Sequence, residues 1–206
     1  MPRIYVLAGV NGAGKSTIGG AAFRASGADY FNPDEVAREL IAANSALTQA
    51  EANAQAWQLG KHLLERAVAG GLDFAFETTL GANTMPRLLR EAAQKGIEVY
   101  VWYAGLSSPE LHIARVKSRV RKGGHDIPEA DIRSRYEHSR LNLIHLLPHL
   151  AALRIYDNSA DADPAAGRAP EPVLVLHLER RRILNKEDLP KTPDWARAIV
   201  AAALQV

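Results

Sequence analysis

Short apolar runs alternate with longer stretches of helical periodicity along most of the chain. Ile4-Tyr5-Val6-Leu7-Ala8 is apolar throughout and stops at a glycine, the pattern of a strand buried on both faces of a parallel sheet. Residues 15–24 read as a helix. Tyr30-Phe31-Asn32 is a second short strand, and Pro33 followed by two acids marks a helix start near Asp34. Alanine, leucine and Trp57 recur at helical spacing over residues 48–69, up to the stop at Gly70-Gly71. Phe74-Ala75-Phe76 is a third strand, 85–95 a helix ended by Gly96, and 97–103 a fourth strand. Ser108-Pro109-Glu110 has the order of a capped helix start, with a helix to 122 before Gly123-Gly124, and a further helix runs from Pro128-Glu129 to about 147. Residues 153–156 form a fifth strand. After an Ala-, Pro- and Gly-rich loop over 161–172, the segments 173–178 and 182–184 have the pattern of a hairpin around Glu179-Arg180. Strands alternating with helices predict a three-layer α/β sandwich around a mostly parallel, five-stranded sheet, with the hairpin as an addition.

Length and composition narrow this picture. With 206 residues the chain is expected to form one domain over 1–206 with a core of its own. The absence of cysteine excludes disulfides, thiolate zinc sites and thiol nucleophiles. Twenty-five Lys and Arg against 23 Asp and Glu leave a net charge of +2, which lacks a nucleic-acid binder's excess. Met1-Pro2-Arg3 leads directly into the first apolar run, and no stretch approaches the length of a membrane-spanning helix, so a cytoplasmic protein with no membrane or nucleic-acid partner is expected.

The chemistry enters at the end of the first strand. Gly9-Val10-Asn11-Gly12-Ala13-Gly14-Lys15-Ser16 satisfies G-x-x-x-x-G-K-[ST] between a predicted strand and a predicted helix, the context this phosphate loop requires. Its glycines let successive backbone N–H groups turn inward around a phosphate, and the helix dipole favours the negative charge. Lys15 then reaches the β and γ phosphates, the Ser16 hydroxyl ligates Mg²⁺, and Thr17 is placed to touch the α phosphate. The motif indicates binding of a nucleoside triphosphate and is common to kinases, motors, switches and transporters.

Asn32-Pro33-Asp34-Glu35 follows the second strand. At a strand's C-terminal end Asp34 would stand near the γ phosphate, where an acceptor hydroxyl gives up its proton; the same acids would also serve simply to stabilise a helix start. Phe76-Glu77-Thr78-Thr79 ends the third strand in the same way, placing Glu77 to hold Mg²⁺-bound water and the threonines to bind substrate or phosphate oxygens. Arg115, Arg119, Arg121 and Lys122 precede Gly123-Gly124, and Arg133 and Arg135 follow it, so residues 108–147 have the make-up of a lid delivering guanidinium groups to phosphate charge. Arg133 and Arg135 point about 200° apart on a helix, so only one of them faces the nucleotide. His138, His145 and His149 read as packing or solvent residues, and Trp57, Trp102 and Trp195 as core or surface anchors.

Together, Gly9 to Thr17, Asn32-Pro33-Asp34, Glu77-Thr78-Thr79, Ser108-Pro109-Glu110, Arg119-Val120, Gly123-Gly124-His125-Asp126-Ile127-Pro128, Arg133-Ser134-Arg135-Tyr136 and Tyr156-Asp157-Asn158-Ser159 resemble the short chromosomal branch of the zeta-toxin family. Members of that family are P-loop kinases. The better understood ones phosphorylate the 3′-hydroxyl of the sugar of UDP-N-acetylglucosamine, and many are held inactive by a small antitoxin. The resemblance implies Mg²⁺ and ATP as cofactors, Lys15 and Ser16 as the phosphate and Mg²⁺ groups, and Asp34 as the base on the acceptor. It further implies that Glu77, Thr78 and Thr79 belong to the acceptor site and that Arg119 with Arg133 or Arg135 are the lid arginines. A small-molecule kinase is thus the leading expectation. The alternative is a nucleotide-gated ATPase or switch acting on a protein partner, for which the chain lacks a recognisable water-positioning group.

Overall fold

The computed structural model describes residues 1–20, 30–160 and 171–206. The predicted helix beyond Gly20, most of the predicted loop at 161–172 and the Thr17 side chain lie outside the described residues. The strands are β1 (Arg3–Ala8), β2 (Tyr30–Phe31), β3 (Phe74–Thr78), β4 (Glu98–Gly105), β5 (Ala152–Asp157), β6 (Val173–Glu179) and β7 (Arg182–Ile183). The helices are α1 (Ser16–Gly20), α2 (Pro33–Ala43), α3 (Gln49–Gly70), α4 (Thr84–Gln94), α5 (Pro109–Val120), α6 (Glu129–Leu146) and α7 (Arg197–Ala203), α1 being wound as a π-helix.

The sheet order is β2-β3-β1-β4-β5-β6-β7. Strands β1 to β5 are parallel, and β1 lies between β3 and β4 with Ile4, Val6, Leu7 and Ala8 fully buried, which explains its unbroken apolar sequence. Among the described residues the sheet has seven strands, not the five expected. The C-terminal hairpin adds to its edge, β6 running antiparallel to β5 with Leu153 opposite Leu178 and Ile155 opposite Leu176. Pairing these apolar positions covers the edge that β5 would otherwise leave open. Helices α3, α4, α6 and α7 contribute Leu64, Leu89, Leu143 and Ile199 to one core with Val6, Val101 and Ile155. The fold class is therefore α/β.

Local signals fix the elements that carry the site. Asn32 caps α2 by accepting from the Asp34 N–H at 3.0 Å, with Pro33 in the first turn. Thr48 and Glu51 form a reciprocal capping box on α3, and Gly71 ends that helix at φ 61°. Ser108 caps α5 by accepting from the Leu111 N–H at 3.2 Å. Because β1, β2 and β3 are parallel, the loops leaving their C-terminal ends converge on one side of the sheet. Among the described residues, no helix is long and apolar enough to cross a membrane.

Candidate active site at the phosphate loop

The chain leaves β1 at Ala8 and folds back over residues 9–15. Gly9, Gly12 and Gly14 all take positive φ values; at Gly12, where φ is 81°, an added Cβ would lie 2.8 Å from the His112 carbonyl oxygen, so a side chain is excluded by conformation and by space. Val10 is buried against Ile113 and Val116 of α5. The loop is braced from three sides, twice at its backbone and once at the Asn11 side chain. The ring N–H at His112 Nδ1 donates to the Asn11 carbonyl at 2.8 Å, Arg135 Nη1 donates to Asn11 Oδ1 at 2.8 Å, and Asn158 Nδ2, just past β5, donates to the Ala13 carbonyl at 2.9 Å. Burial pushes the His112 imidazolium down to about 4, so near neutral pH it is an uncharged donor.

Lys15 is buried beneath this loop. Its Nζ donates to the Gly9 carbonyl at 2.8 Å and lies 3.3 Å from Glu77 Oε1, while Glu77 Oε2 accepts from the Tyr30 hydroxyl at 2.8 Å. Glu77 thus balances a cation that burial would otherwise leave unpaired. Ser16 is exposed at the start of α1.

Asp34, in the first turn of α2, is half-exposed and faces two groups from the far side of the site. Arg119 Nη1 is 3.6 Å from Asp34 Oδ2, and His125 Nε2 is 4.0 Å from Asp34 Oδ1. Arg119 Nη2 also donates to the His125 carbonyl at 3.3 Å, tying the end of α5 to the loop that follows it. Thr78 and Thr79 turn their hydroxyl oxygens onto their own loop, accepting from the Leu80 and Gly81 N–H groups at 3.1 and 3.3 Å. That loop carries a strained residue, buried Leu80 at φ 53°, and α6 supports it with a row of polar side chains. Ser139 Oγ donates to the Thr79 carbonyl at 2.6 Å, and Asn142 Nδ2 donates to the Leu80 carbonyl at 2.8 Å. Tyr103, whose hydroxyl shares Ser139, is pushed up to about 12 by burial.

These groups surround a cavity of about 390 Å³ lined by Asn11 and Lys15 of the phosphate loop, by Asp34, Glu77, Thr78 and Thr79, and by His125 and Arg135. Much of its remaining wall is apolar and aromatic, with Phe31, Trp57, Phe76 and Met85, and Asn53 and Thr84 add polar positions to it. Arg119 reaches the site through Asp34. Arg133 does not: its Nη1 donates to Glu110 Oε1 at 2.7 Å in a solvent-exposed pair. The α6 face that carries Ile132, Tyr136 and Ser139 is buried, and Arg135 borders it one turn before Ser139, whereas Arg133 lies on the opposite side. Sequence reasoning passed over His112, Ser139 and Asn142, and read Trp57 only as an anchor. The i, i+4, i+7 spacing of Arg135, Ser139 and Asn142 was a signal for a single polar face on α6.

The site fits a nucleotide and its metal. The phosphate loop turns at Gly9, Gly12 and Gly14 with Lys15 buried beneath it and Ser16 exposed at its end, and carboxylates stand nearby at Asp34 and Glu77. A phosphate loop on the middle strand of a parallel sheet, opening into an adjacent cavity, is the arrangement of a P-loop protein with a kinase-like fold. Residues 1–162 match the zeta-toxin family, and the chain belongs to it. An uncharacterized protein of Haemophilus influenzae is 31% identical over 129 residues, which are 62% of this chain and 88% of that protein. Crystal structures of the AvrRxo1-ORF1:AvrRxo1-ORF2 complex, one with sulphate ions and one with ATP, superpose with TM-scores of 0.68 at 16% and 17% identity over 94% of this chain. The chain spans only 65% and 64% of those chains. The PezAT chromosomal toxin–antitoxin system of Streptococcus pneumoniae is similar at a TM-score of 0.54 and 19% identity, covering 76% of this chain and 67% of that one. At such identities the structural likeness is one of fold.

Proposed function

We propose that residues 1–206 act as one ATP-dependent phosphotransferase of the cytoplasm, moving the γ-phosphoryl group to a hydroxyl of a small molecule. The observation that carries this reading is the cavity, which runs without interruption from Asn11 and Lys15 to Asp34, Glu77, Thr78 and Thr79. A hydrolase needs room for a water; a cavity of about 390 Å³ beside the phosphate loop suits an acceptor the size of a metabolite. That a structural neighbour was crystallised with ATP supports the choice of donor. Mg²⁺ would be held by the Ser16 hydroxyl and would neutralise phosphate charge.

In this reading Lys15 exchanges the Gly9 carbonyl and Glu77 for the β and γ phosphates. Arg135, already on Asn11, and Arg119 balance the charge of the transferring group. The acceptor oxygen bonds to the γ phosphorus, the bond from that phosphorus to the β–γ bridging oxygen breaks, and ADP departs with that oxygen. The acceptor's proton passes to the Asp34 carboxylate. Residues 108–147 serve as the lid, closing through Arg119, His125 and Asp34. Family membership supports UDP-N-acetylglucosamine as the first acceptor to try. It also supports a small antitoxin as a partner, as do the toxin–antitoxin neighbour and the two-protein AvrRxo1 complex.

A coupled assay of ADP release tests the proposal. With Mg·ATP alone turnover is slow; it rises steeply with the correct nucleotide sugar, and Asp34→Asn abolishes the stimulated rate while leaving ATP affinity intact. Fast release that ignores both the acceptor and Asp34→Asn would favour an ATPase instead.

A further inference from the structure

Lys15 and Glu77 both line the cavity, yet in this structure they are engaged with each other. The Lys15 ammonium carries three hydrogens, and three acceptors surround it: the Gly9 carbonyl at 2.8 Å, the Val10 carbonyl at 3.5 Å and Glu77 Oε1 at 3.3 Å. A phosphate can take a hydrogen from this lysine only by displacing one of them. The lysine side chain is 8% exposed and the glutamate 14%, so parting the pair leaves two largely buried charges in need of new partners. Lys15 finds one in the phosphates. For Glu77 the remaining partner comes from behind. Parallel pairing sets Tyr30 opposite Ala75, and Glu77, two residues further along β3, projects from the same face of the sheet. The Tyr30 hydroxyl donates to Glu77 Oε2 at 2.8 Å, and among the described residues Lys15 and Tyr30 are the partners of this carboxylate. Phe31, on the opposite face of β2, lines the cavity, whereas Tyr30 does not, so Tyr30 acts on the site through Glu77.

We infer that the Lys15–Glu77 pair is a latch between the two halves of the site. The triphosphate draws Lys15 away, and the released carboxylate, held by Tyr30, becomes a hydrogen-bond acceptor for the second substrate, so nucleotide binds before acceptor. While the pair is closed it opposes both ligands: the phosphates must outcompete a largely buried carboxylate, and Lys15 covers Glu77 Oε1. Opening it removes both obstacles in one step, which couples the two sites positively and reciprocally. Tyr30 is a positioning residue whose hydrogen bond counts for more once Lys15 has left, because the phenol is then the donor that remains on the charge. The order of binding rests on the phosphotransferase reading; the latch rests on the geometry of Lys15, Glu77 and Tyr30 alone.

Calorimetric titration of the full chain with adenylyl imidodiphosphate and Mg²⁺ tests the latch without any acceptor. Glu77→Gln keeps the shape and removes the charge that holds Lys15, so the nucleotide binds about fivefold tighter or more. Tyr30→Phe has the opposite effect and weakens binding about threefold or more, since the released carboxylate has lost its remaining donor. The double variant binds as Glu77→Gln does, because the phenol acts through the charge. General loosening of the site would weaken binding in all three proteins, so the opposed signs separate positioning from a structural role. Unchanged or weaker binding in Glu77→Gln would overturn the latch, as would a Tyr30→Phe loss that persists at full size in the double variant. A second titration, with UDP-N-acetylglucosamine, reads the order of binding: the sugar nucleotide binds about tenfold tighter or more with the analogue present than without it, and Glu77→Gln loses that gain. Equal affinity in the two conditions would overturn the order. The expected nucleotide signs without phosphoryl transfer to any hydroxyl compound would keep the latch and remove the kinase reading.

Discussion

Acidification should weaken the fold through His112 in a way that one substitution isolates. The ring is 1% exposed, donates to the Asn11 carbonyl of the phosphate loop and meets Tyr136 edge-on at 5.7 Å. Burial is the main cause of its low pKa, the Lys15, Arg115 and Arg140 cations add to it, and the bond to Asn11 opposes it. Its folded value is about 4 against 6.5 for a free imidazole, so as the pH falls the unfolded chain takes up the proton first. Stability from this group is therefore complete above about 6.5, declines through the interval, and levels off below about 4. The full interval corresponds to about 3 kcal/mol, and the part reached by pH 5 to about 2 kcal/mol. His112→Gln keeps a hydrogen-bond donor but cannot be protonated. Urea unfolding of both proteins at pH 7 and pH 5 should show the wild type losing about 2 kcal/mol more than the variant. Parallel losses in the two proteins would refute the burial argument, since the carboxylates common to both would then account for the whole pH dependence.

Arg135 and Arg133 provide an internal control. Arg135→Ala should lower kcat at least ~10²-fold because it removes the guanidinium on Asn11, whereas Arg133→Ala removes only an exposed pair with Glu110 and should change neither kcat nor Tm measurably. Lys15→Ala should reduce phosphoryl transfer ~10²-fold or more in single-turnover assays. An Arg133→Ala enzyme as impaired as Arg135→Ala would contradict the assigned faces of α6, and a fully active Lys15→Ala enzyme would contradict the role of the loop.

What could be read in the sequence was whatever local chemistry determines. The phosphate loop was legible because strand, glycines, lysine and helix must follow in that order, and α2, α3 and α5 were legible from Pro33 with its two acids, from the helical spacing that stops at Gly70-Gly71, and from the cap at Ser108. The hairpin at the C-terminus was legible as a hairpin, but its pairing to β5 is a long-range choice that 173–184 alone does not encode. The choice between Arg133 and Arg135 illustrates the same limit. Helical geometry sets the two apart, yet which side faces the site depends on the buried row Ile132, Tyr136, Ser139 and Leu143, whose polar member masks the apolar stripe. His112, Asn142 and Trp57 were missed because each acts on residues far away in sequence, at Asn11, at Leu80 and in the wall shared with Phe31.

Phosphorus NMR of the protein with Mg·ATP and UDP-N-acetylglucosamine tests the central claim most directly. The reading predicts that the γ-phosphate signal of ATP declines as ADP and a new phosphomonoester resonance appear together, in equal amounts, and that neither forms with Asp34→Asn. Growth of inorganic phosphate in place of the phosphomonoester, at the same rate with and without a hydroxyl acceptor, would contradict it.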